Sequence, residues 1–169
     1  MRLTRKELLL AAFALLLVGA VAWVWLSPTG LTQAPAIALT TIEGKRIELT
    51  GLRGKPVLVN FWATTCPSCV KEMPELMALH RDLATQGFTV IGIAMPYDRP
   101  DQVLRMARER AIPYPVVLDP MGEATRAFGN VVLTPTSFLI APDGRVAQSV
   151  VGEIDVEAVR KQVQSWLKS

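Results

Sequence analysis

Four short stretches of the chain are apolar enough to be buried on both faces, and polar segments with helical periodicity lie between them. Val57 to Trp62, Phe88 to Ala94, Pro115 to Leu118 and Leu133 to Ile140 are runs rich in β-branched and aromatic residues, the pattern of strands inside a sheet. Between the first two, Met73, Leu76, Met77, Leu79 and Leu83 form an apolar stripe at helical spacing, which predicts a helix from Cys66 to about Thr85, stopped by Gly87. Pro100 to Arg110 reads as a helix with proline in its first turn, Gly122 to Phe128 as a short helix, and Asp155 to Leu167 as a terminal one. Asp143-Gly144 is a strong hairpin signal, so Arg145 to Val151 should return antiparallel to the strand before it. Ile37 to Leu49 suggests two short strands around Glu43-Gly44-Lys45, with Ile47 and Leu49 alternating with polar residues. Strands alternating with helices indicate an α/β domain. The closing hairpin makes the sheet mixed, and the first two strands are a β-hairpin extension of it.

The N-terminus follows a different pattern. Leu8 to Leu26 is nineteen residues without charge or proline. As a helix it would rise roughly 28 Å at about 1.5 Å per residue, close to the roughly 30 Å of a bilayer's hydrocarbon core. Arg2, Arg5 and Lys6 precede it and Trp23 and Trp25 lie near its far end, the arrangement of a single-pass anchor with a cytoplasmic start. Ala20-Val21-Ala22 offers the alternative of a cleaved secretory signal, although the apolar run continues past it through Leu26. Either reading exports the rest of the chain. The expected organisation is an anchor over 1–26, a Pro/Thr/Gly-containing linker over 27–35 and one domain over 36–169.

The formal charge is +3, but the first 26 residues hold +2 of it, so the body is nearly neutral and has no basic stripe for nucleic acid. The chain has two cysteines and one histidine, which rules out a disulfide-stapled scaffold and makes a poor tetrahedral metal site, so no metal is expected. The chemistry is concentrated at Cys66-Pro67-Ser68-Cys69, where a strand ends and a helix begins. Residues i and i+3 of a helix are about 5–6 Å apart at Cβ, near disulfide geometry. A thiol at a helix N-terminus meets unpaired amides and the positive end of the macrodipole, which favour its thiolate. Pro67 suits the first helical turn because its missing N–H has no partner there. Cys66 is then the attacking thiolate and Cys69, one turn deeper, the resolving thiol. The bland alternatives are a structural bridge, which would remove little chain entropy in so short a loop, and half a zinc site, for which only His80 is at hand among nitrogen ligands. His80 itself reads as an exposed or capping residue, and Met73, Met77 and Met106 as core rather than copper ligands.

The run Trp62-Ala63-Thr64-Thr65-Cys66-Pro67-Ser68-Cys69, followed by Lys71-Glu72-Met73-Pro74, resembles the thioredoxin superfamily and, more narrowly, its TlpA/ResA-like branch of membrane-anchored extracytoplasmic oxidoreductases. The resemblance spans about Ala36 to Leu167. It includes Gly44 to Leu49 and Thr134-Pro135-Thr136-Ser137-Phe138-Leu139-Ile140 with Pro142-Asp143-Gly144. It implies a thioredoxin fold with the redox-active Cys66–Cys69 disulfide in place of any other cofactor. It also implies a cis peptide bond before Pro135, which would set the Thr134 backbone beside the sulfurs for a substrate peptide, together with Trp62, Pro67 and Ser68. Pro74 matches a helix-kinking proline. Asn60 departs from thioredoxin proper, where an acid is usual. Asn cannot take a proton from the resolving thiol, so Glu72, three residues after Cys69, is the candidate for that role; a solvated Glu72 is the plain alternative and Glu75 the competitor.

The function this implies is reduction of disulfides in exported proteins, apocytochrome c among them, on the periplasmic side of a bacterial inner membrane, with electrons from a DsbD-like membrane donor. Three rival functions differ in kind. A net disulfide oxidant would differ only in potential. A peroxidase would need a Pro and a Thr where Val59 and Ala63 stand. A copper or haem chaperone would space its cysteines wider and add a distant histidine.

Overall fold

The computed structural model describes residues 6, 15–19 and 33–168. The chain divides into two compact units, Met1–Gly30 and Leu31–Ser169. In the first, residues 6 and 15–19 are helical and exposed. The remainder of the expected anchor over 8–26 lies outside the described residues, and among those described no helix is long and apolar enough to cross a membrane.

The second unit is built on a five-stranded mixed sheet. In chain order its elements are β1 (Ala38–Thr40), β2 (Arg46–Glu48), β3 (Val57–Trp62), helix α1 (Pro67–Leu83), β4 (Thr89–Ala94), α2 (Pro100–Glu109), β5 (Val116–Leu118), α3 (Glu123–Ala127), β6 (Thr136–Ile140), β7 (Val146–Val151) and α4 (Val156–Leu167). The sheet runs β5-β4-β3-β6-β7, while β1 and β2 form a separate antiparallel pair joined to β5 by a Thr41–Val117 bridge. β3 is parallel to β4 and β4 to β5; β6 runs antiparallel to β3 and β7 to β6. The continuous apolar run of β3 has its physical reason here: it is the central strand, buried along its whole length.

Two apolar clusters cover the two faces. Alternate residues of β3 divide between them, with Leu58 and Trp62 on the face that packs Met73, Leu76, Leu79, Val103, Val159 and Val163 from α1, α2 and α4. Val57, Val59 and Phe61 face the other way, where Phe61, Phe128 and Phe138 meet with ring centroids 4.9–6.0 Å apart. β6 begins at Thr136, three residues later than the apolar pattern suggests. Val132 and Leu133 are exposed, and Pro135 brings no N–H to a ladder.

His80 is not the exposed or capping residue expected from its place on α1. It is half-buried, accepts a hydrogen bond from the Val90 N–H at Nδ1 (3.2 Å), and packs edge-on against Tyr114. It therefore joins α1 to β4 and to the loop before β5.

Gly92 sits where Trp62 and Tyr114 converge. A Cβ placed there would lie 3.1 Å from Trp62 Nε1 and 3.1 Å from Tyr114 Cε2. Gly92→Ala should therefore overpack this face and lower stability by about 1–3 kcal/mol, read as a lower urea midpoint at unchanged slope.

Candidate active site

The carboxyl end of β3 delivers the chain to the reactive pair. After Trp62, residues Ala63 to Cys66 make a tight turn closed by Cys66 N–H donating to the Ala63 carbonyl (3.1 Å), and α1 starts at Pro67. Cys66 is the N-cap residue, in extended conformation, and its Sγ accepts the N–H of Cys69 at 3.2 Å. That is the place a capping serine or aspartate oxygen would occupy, so the sulfur satisfies one of the helix's free amides. Cys66 and Cys69 are joined, with S–S 2.10 Å and Cα atoms 5.3 Å apart. Cys66 is 9% exposed and Cys69 3%, so the outer sulfur is the one a partner can approach. The Ser68 hydroxyl lies 3.4 Å from Cys66 Sγ, within reach of a second polar contact to that sulfur.

Beneath the dithiol lies a buried polar network. Glu72 is 5% exposed, so the solvated alternative does not hold. Its Oε2 accepts the N–H of Ile154 (2.7 Å) from the loop before α4, and its Oε1 accepts from Asn60 Nδ2 (3.2 Å). The same Asn60 nitrogen donates to Ser137 Oγ on β6 at 3.0 Å, and Asn60 and Ser137 are buried as well. Each of the three buried side chains thus has a hydrogen-bond partner, linking β3, β6, α1 and the loop before α4. Burial pushes the Glu72 carboxyl above its ordinary range, with the charges of Glu153 and Glu75 adding to the rise; the donors Ile154 and Asn60 act against it and do not cancel it. Tyr114, buried on the same side of the sheet, is also held well above the ordinary phenol range by burial and by repulsion from Glu72.

The peptide bond between Thr134 and Pro135 is cis, as the resemblance implied. Pro135 is buried at the start of β6 and Thr134 half-buried beside it. Thr136 pairs with Phe61, which brings this bond to the same edge of the sheet as the turn carrying Cys66. Pro67 is exposed and Ser68 half-buried, so both have surface for a partner. Trp62 differs. It is 2% exposed, and its Nε1 is the one buried side-chain polar atom without a partner among the described residues. Its place is in the core under the dithiol, with almost no surface for a substrate. Pro74 lies within α1 and is exposed; Glu75 is exposed too, which leaves Glu72 as the buried acid.

Comparison with known proteins agrees with this geometry. The AhpC/TSA family model matches residues 31–149. Over 137 residues the chain is 37% identical to the thiol-disulfide oxidoreductase ResA of Bacillus thuringiensis subsp. konkukian, covering 80% of this chain and 75% of that one. The chain belongs to the AhpC/TSA family and, within it, to the ResA-like thiol–disulfide oxidoreductases. Two solved structures share the fold. One is a candidate thioredoxin from Neisseria meningitidis, with TM-score 0.75, 31% identity and coverage of 82% and 92% of the two chains. The other is a thioredoxin-family thiol:disulfide interchange protein from Chlorobium tepidum, with TM-score 0.72, 33% identity and coverage of 83% and 99%. The second unit is a thioredoxin fold, and the ResA-like protein is a thiol–disulfide oxidoreductase carrying a Cys66–Cys69 pair. Among the described residues no cluster of His, Cys, Asp and Glu is arranged to hold a metal.

Two parts of the site had no signal in the chain pattern. At Asn60 the chain pattern marks only the absence of an acid, whereas its side chain is the donor that holds Glu72. Asp98, in the loop after β4, binds Thr64 two residues before Cys66, and nothing in local spacing connects residues that far apart.

The raised Glu72 carboxyl makes a sign-definite prediction. Its folded value lies above the unfolded one, so its contribution to stability is complete below about pH 4.5 and is lost as pH rises through the folded value. Wild-type stability should fall across that window by up to about 1.4 kcal/mol per pH unit, and Glu72→Gln should lack this slope in urea titrations at stepped pH.

Proposed function

We propose that the protein reduces disulfides of exported proteins, with Cys66 as nucleophile, Cys69 as resolving thiol and Glu72 as the proton acceptor for Cys69. The observation that carries this is the Cys66 sulfur at the N-cap of α1, receiving the Cys69 amide. In the reduced protein the Cys66 thiolate attacks one sulfur of a substrate disulfide, forms a mixed disulfide and releases the other substrate sulfur as a thiolate. Cys69 then passes its proton to Glu72 and attacks Cys66 Sγ. The substrate leaves with both sulfurs reduced, and the two electrons it gained leave a Cys66–Cys69 disulfide behind. A carboxyl with raised proton affinity, three residues along the helix from Cys69, suits that transfer, because proton exchange is most effective when the acceptor's pKa is near the working pH.

The surroundings support a polypeptide substrate. Within residues 33–168 the exposed large apolar side chains are Tyr97, Met121, Val132, Leu133 and Val151. By strand register each leaves the sheet at the edge where β3 ends, which is the dithiol's edge. The backbone around Thr134 and Pro135 lies on that rim and is the candidate strand-like partner for a substrate segment. Apocytochrome c is a substrate of the right kind, since its paired thiols must be reduced before haem attaches. Regeneration needs a two-electron donor, for which a DsbD-like membrane protein is proposed. The uncharged run 8–26 after Arg2, Arg5 and Lys6 supports tethering to the inner membrane with the domain on the extracytoplasmic side, or export after signal cleavage.

The purified protein should reduce insulin disulfides in the presence of dithiothreitol. Cys66→Ser should abolish this, whereas Cys69→Ser should accumulate a mixed disulfide visible by non-reducing electrophoresis. Full activity in Cys66→Ser contradicts the nucleophile assignment. The equilibrium potential gives the direction: a value near about −270 mV fits a reductase, and one near about −120 mV an oxidant.

A further inference from the structure

The turn that presents Cys66 is held from outside its own segment. Asp98, half-buried in the loop between β4 and α2, aims its carboxylate at Thr64: Oδ2 accepts the Thr64 N–H at 2.6 Å and Oδ1 accepts the Thr64 hydroxyl at 2.5 Å. The side-chain amide of Gln102, on the first turn of α2, lies 3.2 Å from the same hydroxyl. One strand-end bond completes the join, with Met95 N–H donating to the Trp62 carbonyl at 3.0 Å.

The placement of Asp98 goes against local preference. Aspartate is a favoured N-cap residue, yet the cap of α2 is Arg99, which makes no side-chain capping bond. Asp98 stands one position short of that cap. It accepts the Arg99 N–H at 3.0 Å and gives its other two bonds to the neighbouring loop. Most of its side-chain bonding is spent outside its own segment, which points to a role there. Bonds of an ionised carboxylate to backbone N–H and hydroxyl are of the stronger kind.

We propose that Asp98 is a positioning residue for the nucleophile: through Thr64 it fixes the Ala63–Cys66 turn, and so keeps the Cys66 sulfur seated on the Cys69 amide at the start of α1. This rests on the reading of Cys66 as the attacking thiolate. A thiolate is stabilised by that amide only while it stays within hydrogen-bond reach of it, and the helix-end effect fades within one turn. A loosened turn therefore returns the thiol toward ordinary cysteine behaviour. The carboxylate's own charge acts in the opposite direction, since a negative neighbour disfavours a thiolate. The two effects separate by substitution. Asp98→Ala removes both clamp and charge. Asp98→Asn removes the charge but keeps an acceptor and a similar shape. Thr64→Val removes only the hydroxyl. The other charged groups about the site are the buried Glu72 beneath the dithiol, the exposed Glu75, and the exposed pairs of Arg99 and Arg105 with Asp101 and of Lys71 with Glu153, and they are the same in all variants.

The test is the pH dependence of iodoacetamide alkylation of the reduced full-length protein, with the modified cysteine located by mass spectrometry and thermal melting run alongside. Positioning predicts that the alkylation midpoint of Cys66 rises by about half a pH unit or more in Asp98→Ala, and less but in the same direction in Thr64→Val. Asp98→Asn should restore the wild-type midpoint or fall below it. A merely structural contact would lower the melting temperature and leave the midpoint where it was, which overturns the proposal. So does a midpoint that falls in both Asp98 variants together, the signature of charge alone. Should Asp98→Ala not fold, Thr64→Val decides by the same criterion. Alkylation of Cys69 ahead of Cys66 in the wild type would instead overturn the assignment of the nucleophile on which the clamp rests.

Discussion

The first free amides of α1 need an acceptor, and the chain supplies a sulfur. An oxygen at Cys66 would cap the helix equally well and be inert. A sulfur there is drawn toward its ionised form by the same bond that finishes the helix. The arrangement requires β3 to end where it does, a tight turn of fixed shape, and a proline that lacks an N–H at the first helical position. It also requires the second cysteine one turn on, facing inward, so that it is sheltered until the outer sulfur has reacted.

The same helix carries a second demand, because it brings a carboxyl into the core. An unpartnered buried acid would cost several kcal/mol, and the fold avoids this by giving Glu72 one donor from β3 and one from the loop before α4. Asn60 is the hinge of that solution: its amide spends one hydrogen on Glu72 and the other on Ser137. An acid at position 60 would face Glu72 as a like charge and could not donate to it. Replacement of the strand acid of thioredoxin by asparagine and burial of a helix acid are therefore two halves of one arrangement. The donors moderate the proton affinity of Glu72, while desolvation keeps it raised.

Much of this was legible in the chain. The buried strands are continuous apolar runs because both faces of the central sheet are covered, and the α1 stripe follows from its packing on one side only. The Cys-Pro-Ser-Cys spacing and the Asp143-Gly144 turn are local signatures with local causes and fell where expected, while the cis bond before Pro135 followed from the family resemblance. What escaped depends on tertiary placement. A glutamate three residues past a cysteine has the same spacing whether it points to solvent or inward; the Ile154 amide decides, from a loop far along the chain. His80 likewise takes its role from Val90 and Tyr114 rather than from its helix. Leu133 reads as strand yet lies exposed on the rim beside Val132, because the ladder starts only after Pro135.

Activation of the dithiol rests on the proton affinity of one sulfur, which can be measured without a substrate. Ultraviolet titration of thiolate absorbance in the reduced wild-type protein, with Cys69→Ala to isolate Cys66, reports it. A Cys66 pKa clearly below the free-cysteine value of about 8.5, within the roughly 3.5–7.5 known for thiols at helix starts, is the expected result. A value at or above about 8.5 would mean that the helix end does not activate this thiol.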